Sequence, residues 1–200
     1  MNYLGHAVLS FKDEQILVGN MIGDFVKGKV ALMQYPDRVR TGLMLHRKID
    51  SFTDQHWAIG EAKVIFRPHY GLYSGAVVDT LTDHFVANDP ELFPTQDALG
   101  AFAADVYQKL HRQRSYFPER FGPYFESMVQ HNWLLGYRTD TGLRRSLNGL
   151  MRRAGNIAEV ETAYALFHQN FDTMQQLYKT FAGDIIRYVK VELSLNGTGT

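Results

Sequence analysis

The interpretation of the fold starts from one stretch, Leu45-His46-Arg47-Lys48-Ile49-Asp50-Ser51-Phe52-Thr53-Asp54. Within it, His46, Asp50 and Asp54 recur every four residues, a spacing that places side chains on one face of a helix. A longer stripe with helical spacing contains the first two of them: Val39, Leu43, His46, Asp50, Thr53 and Trp57. The pattern predicts a helix that begins near Tyr35-Pro36-Asp37 and turns His46 and Asp50 toward the interior.

Helical spacing of apolar residues recurs along the chain, whereas no stretch alternates between apolar and polar residues as a strand would. We therefore predict an all-α fold: a single-domain helical bundle over residues 1–195, with a flexible tail at 196–200. Chain breaks are expected at Arg67-Pro68 and at Gly71. Further helices are predicted at 13–27, 75–86, 95–113, 118–134, 141–153 and 157–193, the last with a break near Asn170.

The composition is that of an ordinary globular protein: of 200 residues, 45% are apolar and 21% are charged. Lysine plus arginine and aspartate plus glutamate both number 21, so the net charge gives no sign of a nucleic acid or membrane partner. Cysteine is absent, which excludes disulfides and thiolate ligands. Neither a signal peptide nor a membrane-spanning segment is recognisable. We expect a cytoplasmic protein without membrane insertion.

Acidic side chains at buried positions point to a metal site. An ionised carboxylate such as Asp50 is costly to bury unless a cation or hydrogen bonds compensate it. Two other stretches offer acids to the same point, namely Asp24 and the pair Asp79 and Asp83, which lie four residues apart. Carboxylates and imidazoles without thiolates suit Mn²⁺, Mg²⁺ or Fe²⁺. We predict hydrolysis of a phosphate ester by a metal-activated water.

Two basic clusters accompany these acids. The first surrounds the helix start and includes Arg38, Arg40, Arg47 and Lys48; the second has five arginines between Arg138 and Arg153. The first cluster can steer a phosphorylated substrate or an acidic protein to the site, although a solvated surface produces the same pattern. The second lies in the half of the chain that we assign mostly to the scaffold.

Four blocks of the sequence resemble the acyl carrier protein phosphodiesterases, a family related to the HD-domain phosphohydrolases. They are MNYLGH at 1–6, GNMIGDFVKG at 19–28, LHRKIDSFTD at 45–54 and DTLTDHF at 79–85. The resemblance implies an HD-domain-like helical fold and a manganese- or magnesium-dependent reaction. In this reaction, holo-acyl carrier protein is hydrolysed to apo-acyl carrier protein and 4'-phosphopantetheine. Asp83-His84 reverses the His-Asp order that marks HD enzymes.

Taken together, the residues and the resemblance predict a role for each candidate. Predicted metal ligands are Asp24, His46, Asp50, Asp79 and Asp83. Predicted acid/base or supporting groups are His6, Asp54 and His84. Arg38, Arg40, Arg47 and Lys48 are predicted to contact the phosphate or the acidic carrier protein. Two alternatives remain open: a phosphohydrolase of a nucleotide or another small phosphodiester, and a non-catalytic helical binding module.

Overall fold

A computed structural model describes residues 1–155 and 159–197 of the chain. Within these ranges the protein is helical and contains no strand, which confirms the predicted all-α fold. The α-helices are α1 (Tyr3–Val8), α2 (Glu14–Ile22), α3 (Lys29–Leu32), α4 (Asp37–Gln55), α5 (Trp57–Tyr70), α6 (Ser74–Asn88), α7 (Gln96–Arg112), α8 (Phe121–Gln130), α9 (Trp133–Gly136), α10 (Asp140–Arg153), α11 (Val160–Gln169) and α12 (Phe171–Gly197). No helix in the described ranges is both long and apolar enough to cross a bilayer.

Helices α2 and α4 cross at very short range. A Cβ atom on Gly19 would lie 2.1 Å from the carbonyl oxygen of Val39, and one on Gly42 would lie 2.2 Å from that of Ile16. Only glycine permits two backbones to approach so closely. His46 lies one turn beyond Gly42, so this crossing places its ring against the end of α2.

Helix α2 begins as predicted and ends earlier than predicted. The Asp13 carboxylate accepts a hydrogen bond from the Ile16 backbone N–H at 2.8 Å and so caps the first turn. The predicted end at Lys27 is wrong, because the α-helix stops at Ile22 and a 3₁₀ turn follows at Gly23–Phe25. Asp24 therefore lies in a tight turn between α2 and α3.

The predicted stripe on α4 is correct except at Asp50 and Trp57. Val39, His46 and Thr53 are buried as expected, whereas the Asp50 side chain is 40% exposed. Trp57 was expected to face inward but is 61% exposed. The reason is that α4 ends at Gln55 and His56 adopts an extended backbone, so that Trp57 begins a new helix in another direction.

The later breaks follow backbone geometry. Pro68 lies inside the last turn of α5, so the break predicted there is wrong, whereas Gly71, with φ of 51°, ends the helix. Asn132, with φ of 44°, divides the predicted helix 118–134 into α8 and α9. The break near Asn170 is confirmed. Residues 196 and 197 of the predicted tail belong to α12, and residues 157–158 and 198–200 of the predicted segments lie outside the described ranges.

Candidate metal centre

Three side chains from α1 and α4 converge on one point: His6, His46 and Asp50, here called the ligand triad. One ligand atom from each lies within 4.8 Å of the other two. Asp50 bridges the histidines, with Oδ1 3.2 Å from Nε2 of His6 and Oδ2 3.1 Å from Nε2 of His46. Two ligands at right angles, each about 2.1 Å from an ion such as Mg²⁺, are about 3.0 Å apart. The spacing of the triad therefore suits a divalent ion.

Nε2 of His46 lacks a hydrogen-bond partner although it is buried. Oδ2 of Asp50 nevertheless lies only 3.1 Å away. Buried polar atoms almost always have a hydrogen-bond partner. Ligands of one ion point at the ion rather than at each other, so a cation between Nε2 and the carboxylate would satisfy both. This unpartnered nitrogen is the clearest structural sign that the triad fits a metal.

Asn20 of α2 orients both histidine rings. Its Nδ2 group donates hydrogen bonds to the His6 carbonyl at 2.8 Å and to Ser10 Oγ at 3.1 Å, so its Oδ1 atom faces Nδ1 of His6 at 2.8 Å. The Asn20 backbone carbonyl lies 2.8 Å from Nδ1 of His46. Each Nδ1 therefore carries its proton and donates it to an oxygen, which leaves Nε2 of each ring for the metal. Partners of this kind fix the tautomer of ligating histidines.

Close packing restricts how the His46 ring can move. Its ring stacks on that of His6, with centroids 4.3 Å apart and planes inclined by 21°. On another side, a Cβ atom on Gly23 would lie only 2.2 Å from Cγ of His46. The absence of a side chain at position 23 therefore makes the space that the ring occupies.

Asp24 approaches the triad from the solvent side. Its Oδ1 atom lies 3.6 Å from Nε2 of His46, and its side chain is 67% exposed. The adjacent His46 ring holds the pKa of Asp24 below its ordinary value, against the opposing effect of burial. Asp24 is thus an ionised carboxylate within reach of the same ion.

The charges of the site favour a cation at Nε2 of His46. Burial lowers the pKa of His46, but Asp24 and Asp50 outweigh burial and raise it to about 9. Burial likewise raises the pKa of Asp50, and the two histidines outweigh this effect and hold it well below its ordinary value. Burial and the neighbouring His46 lower the pKa of His6. The two carboxylates thus favour a proton at Nε2 of His46, and a metal ion bound there would have to displace it.

Asp79 and Asp83 of α6 lie against the first residues of the chain. Oδ1 of Asp79 accepts a hydrogen bond from the Met1 amino group at 2.7 Å. Asp83 is fully buried, and its carboxylate accepts hydrogen bonds from the backbone N–H groups of residues 2, 4 and 5 at 3.2, 2.7 and 3.2 Å. These bonds hold α1 against α6 and so fix the position of His6. The ligand role predicted for the two acids stays a prediction.

Asp54 and His84 do not join the triad. The Asp54 side chain is 74% exposed and forms an ion pair with Lys63 at 2.8 Å. His84 is buried, and its Nδ1 atom donates to the Tyr137 carbonyl oxygen at 2.7 Å. The structure therefore gives each of them a local partner, and their predicted catalytic role also remains a prediction.

The four basic residues of the predicted substrate-binding cluster all have partners. Arg38 pairs with Asp13 at 2.7 Å, Arg40 with Asp37 at 2.6 Å, and Lys48 with Glu192. The Arg47 guanidinium donates to the Val26 carbonyl oxygen at 3.1 Å and so supports the turn that carries Asp24. Ion pairing thus offsets much of the local positive charge that the sequence shows.

Sequence reasoning missed Asn20, Gly23 and Arg153. Arg153 lines the small cavity above the triad, together with Asp24 and Tyr124 from other segments. One signal for Asn20 was present: it interrupts an otherwise apolar run in α2, and a buried amide requires partners. Arg153 is part of the second basic cluster, which was expected to belong mostly to the scaffold. Gly23 depends on a contact between distant segments, and the sequence shows no such signal for it.

Comparison with known proteins places the chain in a family. The family model described as acyl carrier protein phosphodiesterase matches residues 1–185. The chain is 26% identical to the acyl carrier protein phosphodiesterase of Yersinia pestis, over 94% of this chain and 96% of that protein. It is 30% identical to the Photorhabdus laumondii protein of the same name, over 86% of this chain and 89% of that protein. No solved structure matches, so the HD-domain-like assignment stays a prediction. The chain belongs to the acyl carrier protein phosphodiesterase family.

Proposed function

We propose that this protein is a metal-dependent phosphodiesterase that hydrolyses holo-acyl carrier protein to apo-acyl carrier protein and 4'-phosphopantetheine. Family membership supports the substrate. The convergence of the ligand triad around the unpartnered Nε2 of His46 supports the metal and is the observation that carries the proposal. Nitrogen and carboxylate ligands without thiolates favour Mn²⁺ or Mg²⁺.

The proposed roles follow from the geometry. A divalent ion, when bound, supplies an activated water and neutralises phosphate charge. His6 and His46 present Nε2 to it because Asn20 holds both Nδ1 protons. Asp50 contributes a carboxylate between the two rings, and Asp24 completes the ligand set from the solvent side. Asp79 and Asp83 position α1 in this proposal, and Arg47 supports the Asp24 turn.

An assay on the protein substrate tests the proposal. The purified chain is treated with a chelator, supplied with Mn²⁺ and incubated with holo-acyl carrier protein, and loss of the phosphopantetheine group is followed by intact-protein mass spectrometry. We expect conversion only with metal, and loss of conversion in Asp50→Asn. Asp54→Asn removes the same charge from the same helix one turn away, and we expect it to retain conversion because its carboxylate pairs with Lys63 outside the triad. Loss of conversion in Asp54→Asn would instead support the catalytic role predicted for it. Failure of the metal-loaded wild-type protein to convert the carrier would contradict the proposal.

The two alternatives give different results. A nucleotide phosphohydrolase would hydrolyse members of a nucleotide panel and leave holo-acyl carrier protein intact. A non-catalytic module would not respond to metal, whereas Mn²⁺ at 100 times its dissociation constant should stabilise the proposed site by about 2.7 kcal/mol. For a chain of this size, that corresponds to roughly 5–10 °C in melting temperature. The cytoplasmic location remains a prediction.

A further inference from the structure

A second, larger cavity adjoins the one above the triad. The cavity above the triad has a volume of about 220 Å³ and is lined by His6, His46 and Asp24 among others. The adjoining cavity has a volume of about 740 Å³ and lies between the first residues of the chain, α8, α9 and α10. The two cavities share Asn2, Tyr3, Tyr124 and Arg153 as lining residues. The two cavities therefore adjoin each other at these four residues.

The larger cavity combines aromatic walls with polar groups. Trp133 forms one wall, with its ring centroid 6.1 Å from that of Tyr3 and 6.4 Å from that of Tyr124. Ser127 and Ser146 offer hydroxyl groups. Such a mixture of apolar surface and a few hydrogen-bonding groups is typical of small-molecule sites, whose volumes are about 300–1,000 Å³.

Small residues on α9 and α10 keep the cavity open. A Cβ atom on Gly142 would lie 1.9 Å from the carbonyl oxygen of Gly136, so these two helices are in backbone contact. Further along α10, a Cβ atom on Gly149 would meet only an Arg153 guanidinium nitrogen, at 3.4 Å. Gly149 and Ser146 both face the cavity, and larger side chains there would fill it.

Arginine side chains lie where the two cavities meet and along the larger one. Arg153 lines both cavities, whereas Arg145 and Arg152 line only the larger. Guanidinium groups form strong, geometrically specific hydrogen bonds with phosphate oxygens. A phosphodiester at the triad would therefore have Arg153 beside it, on the side that faces the larger cavity.

We propose that the larger cavity binds the pantetheine arm of the substrate, with Arg153 contacting the phosphate at the junction. This inference rests on the proposed function. A phosphodiester has two substituents, and the folded carrier protein is too large for either cavity, so the narrow arm is the one that enters. The amides and the hydroxyl of the arm can form hydrogen bonds with Ser127 and Ser146. Its gem-dimethyl group can pack against the aromatic walls. Three arginines of the second cluster, Arg145, Arg152 and Arg153, thus belong to the substrate site. The other two make scaffold contacts, Arg138 with backbone carbonyls and Arg144 with Glu161.

A binding experiment tests the cavity without any turnover. The chain has two tryptophans, Trp133 and the exposed Trp57, so a Trp57→Phe background makes Trp133 the sole fluorescent reporter. In chelator, titration with 4'-phosphopantetheine should change its emission saturably. Gly149→Phe and Ser146→Phe should weaken this binding at least tenfold. Asn148→Phe is the matched control, because Asn148 is exposed on α10 and does not line the cavity.

The same variants are then assayed with Mn²⁺ and holo-acyl carrier protein. Retention of the Mn²⁺-induced rise in melting temperature shows that each variant is folded with an intact triad. The proposal expects at least a tenfold loss of kcat/KM in the two filled variants and none in Asn148→Phe. Unchanged ligand binding and unchanged kcat/KM in both filled variants would overturn it. If wild-type protein binds 4'-phosphopantetheine but releases none from the carrier, the cavity stands and the proposed function fails.

Discussion

The side-chain oxygen of Asn20 lies 2.8 Å from Nδ1 of His6, and the backbone carbonyl of the same residue lies 2.8 Å from Nδ1 of His46. One residue of α2 therefore sets the tautomer of two histidines that come from different helices. Because Asn20 itself is held by Ser10 and the His6 carbonyl, the triad is oriented before any metal binds.

Replacing Asn20 with alanine should weaken metal binding. The His6 ring loses the acceptor for its Nδ1 proton, whereas His46 keeps its backbone acceptor. Loss of such a partner typically costs about 10–100-fold in metal affinity, which calorimetric titration of Mn²⁺ would measure. Ser10→Ala is the control, since it removes a bond to Asn20 and leaves both histidine contacts in place. Equal Mn²⁺ affinity in Asn20→Ala and wild type would show that the amide does not orient His6.

Substituting Gly23 tests the space beneath the His46 ring. In Gly23→Ala the new methyl carbon would lie 2.2 Å from Cγ of His46, so the ring must leave its position. We expect a lower melting temperature and loss of the Mn²⁺-induced stabilisation. Gly60→Ala is the control, because a Cβ atom there meets nothing within 4 Å and alanine favours the helix by about 1 kcal/mol. Normal metal binding by Gly23→Ala would mean that the ring position is not critical.

The part of the site that sequence predicted is the part set by local helix geometry. His46 and Asp50 lie four residues apart in one helix, so helix geometry alone brings their side chains together. Asp54 lies outside the triad for the same geometric reason, since each step of four rotates the side chain by about 40° and carries it toward solvent and Lys63. His6 was identified only through family resemblance, because the sequence does not show that its ring stacks on that of His46.

Long-range packing accounts for the rest. Asp79 and Asp83 have the four-residue spacing of a ligand pair, yet their partners are backbone N–H groups and the amino group at the start of the chain. The cavity beside Trp133 arises from α8, α9 and α10 folding over Tyr3, and neither periodicity nor composition specifies that arrangement. The all-α class needed only the local patterns and was predicted correctly.

Asp83 and Asp50 should respond differently to truncation in metal-free protein. Asp83→Ala leaves three backbone N–H groups without their acceptor, and buried unpaired groups cost about 1–3 kcal/mol each. Urea denaturation in chelator should therefore show a loss of roughly 3 kcal/mol or more. Asp50→Ala leaves no backbone N–H group without its acceptor, and we expect it to lose all Mn²⁺-induced stabilisation. A stable Asp83→Ala protein that cannot bind Mn²⁺ would instead support the ligand role predicted from sequence.

The pH dependence of stability tests the charge of His46. Its pKa is raised from 6.5 to about 9 in the folded, metal-free protein, so protonation of the ring stabilises the fold. This contribution is complete below pH 6.5 and is lost as the pH rises from 6.5 to about 9. The titratable groups facing the ring, His6, Asp24 and Asp50, are all retained in His46→Gln. The stability advantage of wild type over His46→Gln, measured by urea denaturation in chelator, should therefore shrink across this window. An advantage that stays constant or grows with pH would show that folding does not raise the pKa of His46.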